Sequence, residues 1–246
     1  MYKRQKIGIA KTSSAKGNIH ANILQHLKFV KTAIENKADA IFFPELSITG
    51  YEPTLAKALA TDQADSRFDV FQQLADTHKI IIGVGVPTKT IDNQCISMVI
   101  FQPNREKLTY SKQYLHPDEF PFFENGGAFD AKIGNSVNIA IAICYELSIS
   151  EHSANAHQNG ANIYIASVAK TAKGVTKASE QLAAIAKKYS MPVLMSNSIG
   201  PNDDFISAGQ SAVWDQQGVL IGQLNATDEG VLIYDMDSQQ VTTIII

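Results

Sequence analysis

The chain is poor in several residue types, and each shortage excludes something. Two cysteines, Cys95 and Cys144, stand among 246 residues. Two thiols build no disulfide framework and no four-cysteine zinc site. No apolar run approaches the ~18 residues of a membrane-spanning helix. The net charge is only −3, with Lys and Arg scattered rather than gathered into a stripe, so neither nucleic acid nor a membrane surface is the expected partner. The run Ile7 to Ala10 that follows Met1-Tyr2-Lys3-Arg4 is too short for a secretory signal and Lys11 ends it, so the cytosol is the expected compartment. His152 and His157 lack the spacing of two metal ligands on one helix face, and Gly83-Val84-Gly85 lacks the rest of a dinucleotide fingerprint. No metal and no cofactor are expected. The glycine pair reads instead as close strand packing, Cys95 and Trp214 as core.

What is present is a full complement of apolar residues, 45%, arranged in short β-rich runs that alternate with amphipathic stretches. Lys6–Ala10, Ala40–Phe43, Ile80–Val86, Ile96–Phe101, Val137–Cys144, Ile163–Ala166, Val193–Met195, Ser211–Trp214, Val219–Gln223 and Val231–Tyr234 read as strands. Ile23, Leu27, Val30 and Ile34 recur at helical spacing within Ile19–Asn36. Further helices are predicted around Phe68–Ala75, Ser150–Asn159 and Lys177–Lys188. Continuous apolar strands imply sheets buried on both faces and covered by helices, an α/β fold. With no linker or repeat in view, residues 1–246 read as a single domain.

Three segments place a polar residue just after an apolar strand, where α/β sheets gather functional groups. They are Phe43-Pro44-Glu45-Leu46-Ser47-Ile48-Thr49-Gly50-Tyr51, Tyr110-Ser111-Lys112 and Ile143-Cys144-Tyr145-Glu146. Alone, each has an ordinary reading: a capping carboxylate, a solvated lysine, a small buried thiol. Together and in this order they resemble the nitrilase superfamily. Asn159-Gly160-Ala161-Asn162 and Gly209-Gln210-Ser211-Ala212-Val213-Trp214 extend the resemblance along the whole chain.

The resemblance implies a four-layer α-β-β-α sandwich, usually a homodimer paired through helices. It implies hydrolysis of a carbon–nitrogen bond in a small amide or nitrile, with Cys144 as nucleophile, Glu45 as base and Lys112 as partner of the oxyanion. A second glutamate follows the family's lysine; Glu119 is the better match and Glu124 the alternative. Tyr51, Phe120 and Tyr145 are the expected pocket-lining residues, with His116 beside them. Nitrile or carbamoyl-amide hydrolysis, acyl transfer and a non-catalytic binding role are the rival readings. The chain also departs from the family. Ser148 and Ser150 stand where the family commonly has Arg and Pro, Ser111 replaces an Arg before the lysine, and the usual Arg-Ala-x-Glu-Asn stretch is missing from Glu180–Tyr189.

Overall fold

A computed structural model describes residues 5–134 and 137–246. The segment Met1 to Arg4 lies outside the described residues, and so does the middle of the stretch just before Val137. In chain order the elements are β1 (Lys6–Lys11), α1 (Ile19–Glu35), β2 (Ala40–Phe42), α2 (Ala56–Leu59), α3 (Asp69–His78), β3 (Ile81–Lys89), β4 (Gln94–Phe101), β5 (Leu108–Ser111), β6 (Ile139–Ile143), α4 (Ser150–Gln158), β7 (Ile163–Val168), α5 (Ala172–Tyr189), β8 (Val193–Asn197), β9 (Ile199–Asn202), β10 (Phe205–Ala208), β11 (Ala212–Trp214), β12 (Leu220–Gln223), β13 (Gly230–Asp235) and β14 (Gln240–Ile245).

The strands form a seven-stranded sheet, ordered β14-β13-β1-β2-β3-β4-β5, and a five-stranded sheet, ordered β12-β11-β8-β7-β6, with β9 and β10 as a separate hairpin. Alternation along each strand explains how the sheets stack, because successive side chains point to opposite faces. Ile7, Ile9, Phe42, Ile96, Met98 and Ile100 of the first sheet share one core with Ile139, Ile141, Ile143, Ile163 and Ile165 of the second. The intervening residues Ile41, Val84 and Val99 pack under α1 and α3. Ala142, Tyr164 and Ala166 pack under α5, with Ala156 of α4 at the margin. The layers therefore run α-β-β-α, as the resemblance implies. β2 runs parallel to β1 and β3, and β6 parallel to β7.

Several boundaries differ from the sequence reading. α5 begins at Ala172, five residues before the predicted start at Lys177. Thr171 caps it by accepting the Gly174 N–H at 3.2 Å, and the glycine in that first turn masks the helical pattern. β6 stops at Ile143, because Cys144 turns into a short 3-10 helix, Cys144–Ser148. β4 starts at Gln94 and takes in Cys95, paired with Thr88 of β3. β5, β14 and the β9–β10 hairpin have weak apolar patterns and go unpredicted.

Two hydroxyls fasten the sheets together. Ser196 Oγ of β8 donates to the Ala10 carbonyl at 2.6 Å, and Ser167 Oγ of β7 donates to the Phe43 carbonyl at 2.8 Å. On the outside, α1 grips the loop that follows β2. Asn22 Nδ2 donates to the Ile48 carbonyl at 2.9 Å. His26 stacks on Phe43 at 4.1 Å, lies 2.6 Å by Nδ1 from the Asn22 carbonyl and 2.9 Å by Nε2 from Ser47 Oγ. The carbonyl can only accept, so Nδ1 carries the proton and Nε2 accepts from the serine.

Burial holds His26 down at about 4, against an ordinary value of 6.5. Between those values the unfolded chain binds a proton that the folded chain refuses, so this residue's contribution is complete above pH 6.5 and is lost as pH falls toward 4. His26→Gln removes that dependence. Its destabilisation, measured by urea unfolding, is expected to be about 2 kcal/mol larger at neutral pH than near the acid end of the window. A penalty that does not change with pH contradicts this assignment.

Candidate active site

Glu45 follows β2 through Pro44, on a loop whose main chain is clamped to β3. The Phe43 N–H donates to the Gly83 carbonyl and the Ile48 N–H to the Gly85 carbonyl, each at 2.9 Å. The approach leaves no room for a side chain: a Cβ on Gly85 would sit 2.4 Å from the Pro44 carbonyl oxygen and 2.5 Å from the Leu46 nitrogen. A Cβ on Gly83 would meet Phe42 and Met98. The two glycines thus serve close packing, and Gly85 in particular lets the Glu45 loop lie on the sheet.

Cys144 ends β6 with φ at +46°, a left-handed conformation that non-glycine residues adopt rarely. Buried Glu146 holds this turn. Its Oε2 accepts the Ile143 N–H at 2.7 Å and the Tyr110 hydroxyl at 2.8 Å, while Oε1 accepts the Gln113 N–H at 2.6 Å. One carboxylate therefore ties the cysteine turn to both sides of Lys112. Behind it, His152 Nε2 lies 2.8 Å from the Tyr110 hydroxyl and Nδ1 lies 2.8 Å from that of Tyr164. Since Tyr110 donates to Glu146, Nε2 donates and Nδ1 accepts. This is a neutral histidine in a polar network, and burial holds it at about 4. Ser148, at one departure from the family, donates to Gln181 of α5 at 3.2 Å.

Lys112 is wholly buried. Its Nζ donates to Glu45 Oε1 at 2.9 Å and to Glu119 Oε1 at 2.7 Å. Glu119 Oε1 also accepts the Tyr51 hydroxyl at 3.0 Å, and Oε2 accepts the His116 N–H at 2.7 Å. Glu119, not Glu124, is thus the glutamate beside Lys112; Glu124 instead places its charge near Cys95. Burial alone would lower the lysine, but the charges of Glu45 and Glu119, joined by that of Cys144 once it ionises, outweigh it and hold Lys112 protonated, well above its usual range. Burial pushes Glu45 upward, against the pull of Lys112. Glu45 Oε2 is buried without a hydrogen-bond partner. Burial first, then the Glu45 charge, push the Cys144 thiol up to about 11. The thiol is therefore protonated at neutral pH, and an unpartnered carboxylate oxygen stands in the same buried cluster.

Cys144, Glu119, Tyr51, Tyr145, Phe122 and Lys170 line a cavity of about 500 Å³. Phe120 is not among them; its side chain is 57% exposed, and Phe122, two positions on, faces the cavity. His116, Asp118, Asp203, Asp204 and Phe205 complete much of the rim. Sequence reasoning missed Lys170, although it too follows an apolar strand, β7. A second cavity, of about 590 Å³, opens between β6 and α4. It reaches Tyr110 and His152 but none of Glu45, Lys112, Glu119 or Cys144, so the chemistry belongs to the smaller one. Among the described residues, no group of three or more His, Cys, Asp or Glu side chains is placed to hold a metal ion.

Comparisons with known proteins bear on the family and the fold. A model of the carbon-nitrogen hydrolase family matches residues 6–245. A glutamine-dependent NAD(+) synthetase of Synechocystis is 24% identical over 96% of the chain, which spans 47% of that relative. An (R)-stereoselective amidase of Pseudomonas is 22% identical over 96% of this chain and 86% of its own. A solved mutant of the amidase of Nesterenkonia sp. AN1 superposes with a TM-score of 0.85 at 20% identity, covering 94% of this chain and 90% of that one. In that structure the acetamide moiety of fluoroacetamide is covalently added at the active-site cysteine.

Two outcomes test the geometry. Alkylation of Cys144 by iodoacetamide, quantified on its peptide, is expected to accelerate with pH up to about 11. Glu45→Gln removes a negative charge beside the thiolate and should bring that midpoint down; an unmoved midpoint contradicts the coupling. Gly85→Ala should displace the Glu45 loop and slow any Cys144-dependent turnover by roughly tenfold or more in a folded protein. Unchanged turnover would mean the close approach at Gly85 does not position Glu45.

Proposed function

The chain belongs to the carbon–nitrogen hydrolase family, and from that premise we propose that it hydrolyses a small carboxamide through a thioester on Cys144. The observation that carries the reading is the buried Lys112, bonded at once to Glu45 and to Glu119, the latter lining one cavity with Cys144.

In the proposed cycle, Glu45 Oε2 takes the Cys144 proton as the sulfur attacks the amide carbon. A thiol at about 11 yields too little free thiolate near neutral pH to react without such a base. The carbonyl oxygen gains negative charge as the carbon becomes tetrahedral. Lys112 and the backbone N–H of Tyr145 are the candidate donors to it, and loss of one such donor typically costs ~3–4 kcal/mol. Glu45 then returns its proton to the leaving nitrogen, the C–N bond breaks and ammonia departs. Water enters, Glu45 takes a proton from it, and the resulting hydroxide attacks the thioester. The carboxylic acid leaves and the thiol is restored.

Glu119 is proposed to position Lys112, with Tyr51 and the His116 N–H holding it in turn. Tyr51, Tyr145 and Phe122 are proposed as contacts to the substrate. The family resemblance further supports a single domain over residues 1–246, a homodimer and a cytosolic location, each open to direct measurement of solution mass and cellular distribution. No helix among the described residues is long and apolar enough to cross a membrane.

The test is ammonia release from a panel of small amides and nitriles. Cys144→Ala is expected to abolish release, and Glu119→Gln to lose most turnover with an unchanged melting profile. Release by Cys144→Ala at the parent rate overturns the nucleophile; near-parent turnover in Glu119→Gln removes Glu119 from the site. Because Glu45 must be ionised and burial raises it, the acid limb of the rate should fall above the ordinary carboxylate range.

A further inference from the structure

Lys112 is buried behind the catalytic cavity and is not the only cation near Cys144. Lys170 lines the cavity itself, two residues past the end of β7, the strand paired with β6. Its main chain is locked. The Lys170 N–H donates to Asn197 Oδ1 at 2.8 Å, and its carbonyl accepts Asn197 Nδ2 at 3.2 Å and the Ala208 N–H at 2.9 Å. Asn197 is itself buried and also donates to the Gly209 carbonyl at 2.7 Å. The side chain differs from its backbone: half-buried, its Nζ makes no hydrogen bond or ion pair among the described residues. A rigid backbone that presents an uncommitted charge to a cavity is the arrangement of a recognition residue.

The two lysines are electrostatically unlike. Lys112 is bonded to two carboxylates. Lys170 feels Glu45 and Cys144 only at a distance. Its pull on the thiol is too weak to make a thiolate, since Cys144 still stands at about 11. An ammonium held partly out of water without a partner gains from an anion brought by a ligand, because charge-assisted hydrogen bonds are roughly twice as strong as neutral ones. The opposing groups are the carboxylates of Asp118, Asp203 and Asp204. All three are exposed at the rim, where water and salt screen them. Asp118 is occupied with His116 at 2.5 Å, and Asp203 acts on Lys16 outside the cavity.

We infer that Lys170 binds a carboxylate carried by the substrate, so that the amide cleaved is the monoamide of a dicarboxylic acid. This rests on the hydrolase reading and narrows it. The C–N bond breaks as described, water supplies the new oxygen, and the product is a dicarboxylate plus ammonia.

The probes are succinamate and butyramide, which share a chain and an amide and differ in a carboxylate against a methyl group. The parent enzyme is expected to prefer succinamate. Lys170→Met keeps most of the stem and removes the charge; it should raise KM for succinamate about thirtyfold, the worth of one hydrogen bond to a charged group, while butyramide hydrolysis changes little. Lys170→Arg should retain the preference. Calorimetry on Cys144→Ala should detect succinamate binding that the added Lys170→Met removes. Equal losses on both amides, or a parent enzyme that favours butyramide, overturn the role of Lys170 and leave the hydrolase intact. No ammonia from either amide or any other on the panel overturns the hydrolase reading itself.

Discussion

The ammonium of Lys112 sits in a region without solvent, between Glu45 Oε1 and Glu119 Oε1. Burying a charge is costly, and a buried ion pair is tolerable only when its remaining hydrogen-bonding capacity is met. Here the second carboxylate is saturated by Tyr51 and the His116 N–H. The first is left with one oxygen unpartnered. That asymmetry is the chemical content of the site. Glu119 is fully engaged and so holds Lys112 in place, whereas Glu45 keeps a free lone pair for a proton. Removing the lysine would leave two carboxylates buried side by side, a loss of about 3–5 kcal/mol by analogy with other broken buried pairs.

The sandwich exists, from the site's point of view, to bring three strand ends from two sheets to one place. Glu45 follows β2 and Lys112 follows β5 in the seven-stranded sheet; Cys144 follows β6 in the other. No single sheet fixes their separation. The interlayer core of alternating isoleucines sets the spacing. Ser167 stands beside Ile143 in register and donates across the gap to the Phe43 carbonyl, which pins the cysteine end of one sheet to the glutamate end of the other. Glu146 does the same between the cysteine turn and the residues on either side of Lys112. The left-handed φ of Cys144 is held by this surrounding network rather than by local preference.

Much of this was readable from residue order. The alternating strands and the strand-end positions of Glu45 and Cys144 needed only pattern and motif; Glu119 and Glu124 stayed open until the bond from Lys112 to Glu119 chose between them. What escaped had physical reasons. Lys170 carries the same signal as Lys112, a polar residue after an apolar strand, but a lysine on its own reads as a solvated charge. Phe120 and Phe122 are indistinguishable in sequence, and only the tight turns that send the Phe122 and Phe123 N–H groups to the Glu119 carbonyl decide which ring faces the cavity. The role of Glu146 depends on tertiary hydrogen bonds to β5 and its loop, which no local pattern encodes. The early start of α5 was hidden because Gly174 interrupts a turn that the Thr171 cap restores.

The central claim is that the Cys144 sulfur is the nucleophile of the site. The measurement closest to it is peptide mass spectrometry of the protein after incubation with fluoroacetamide, whose acetamide moiety is found on the active-site cysteine of a mutant of the Nesterenkonia amidase; the sulfur displaces fluoride and forms a thioether. The account predicts a single adduct on the peptide that contains Cys144, with Cys95 unmodified because it is buried in β4 away from the cavity. It also predicts that Lys112→Met suppresses the adduct. An adduct confined to Cys95, with Cys144 unmodified, would contradict it.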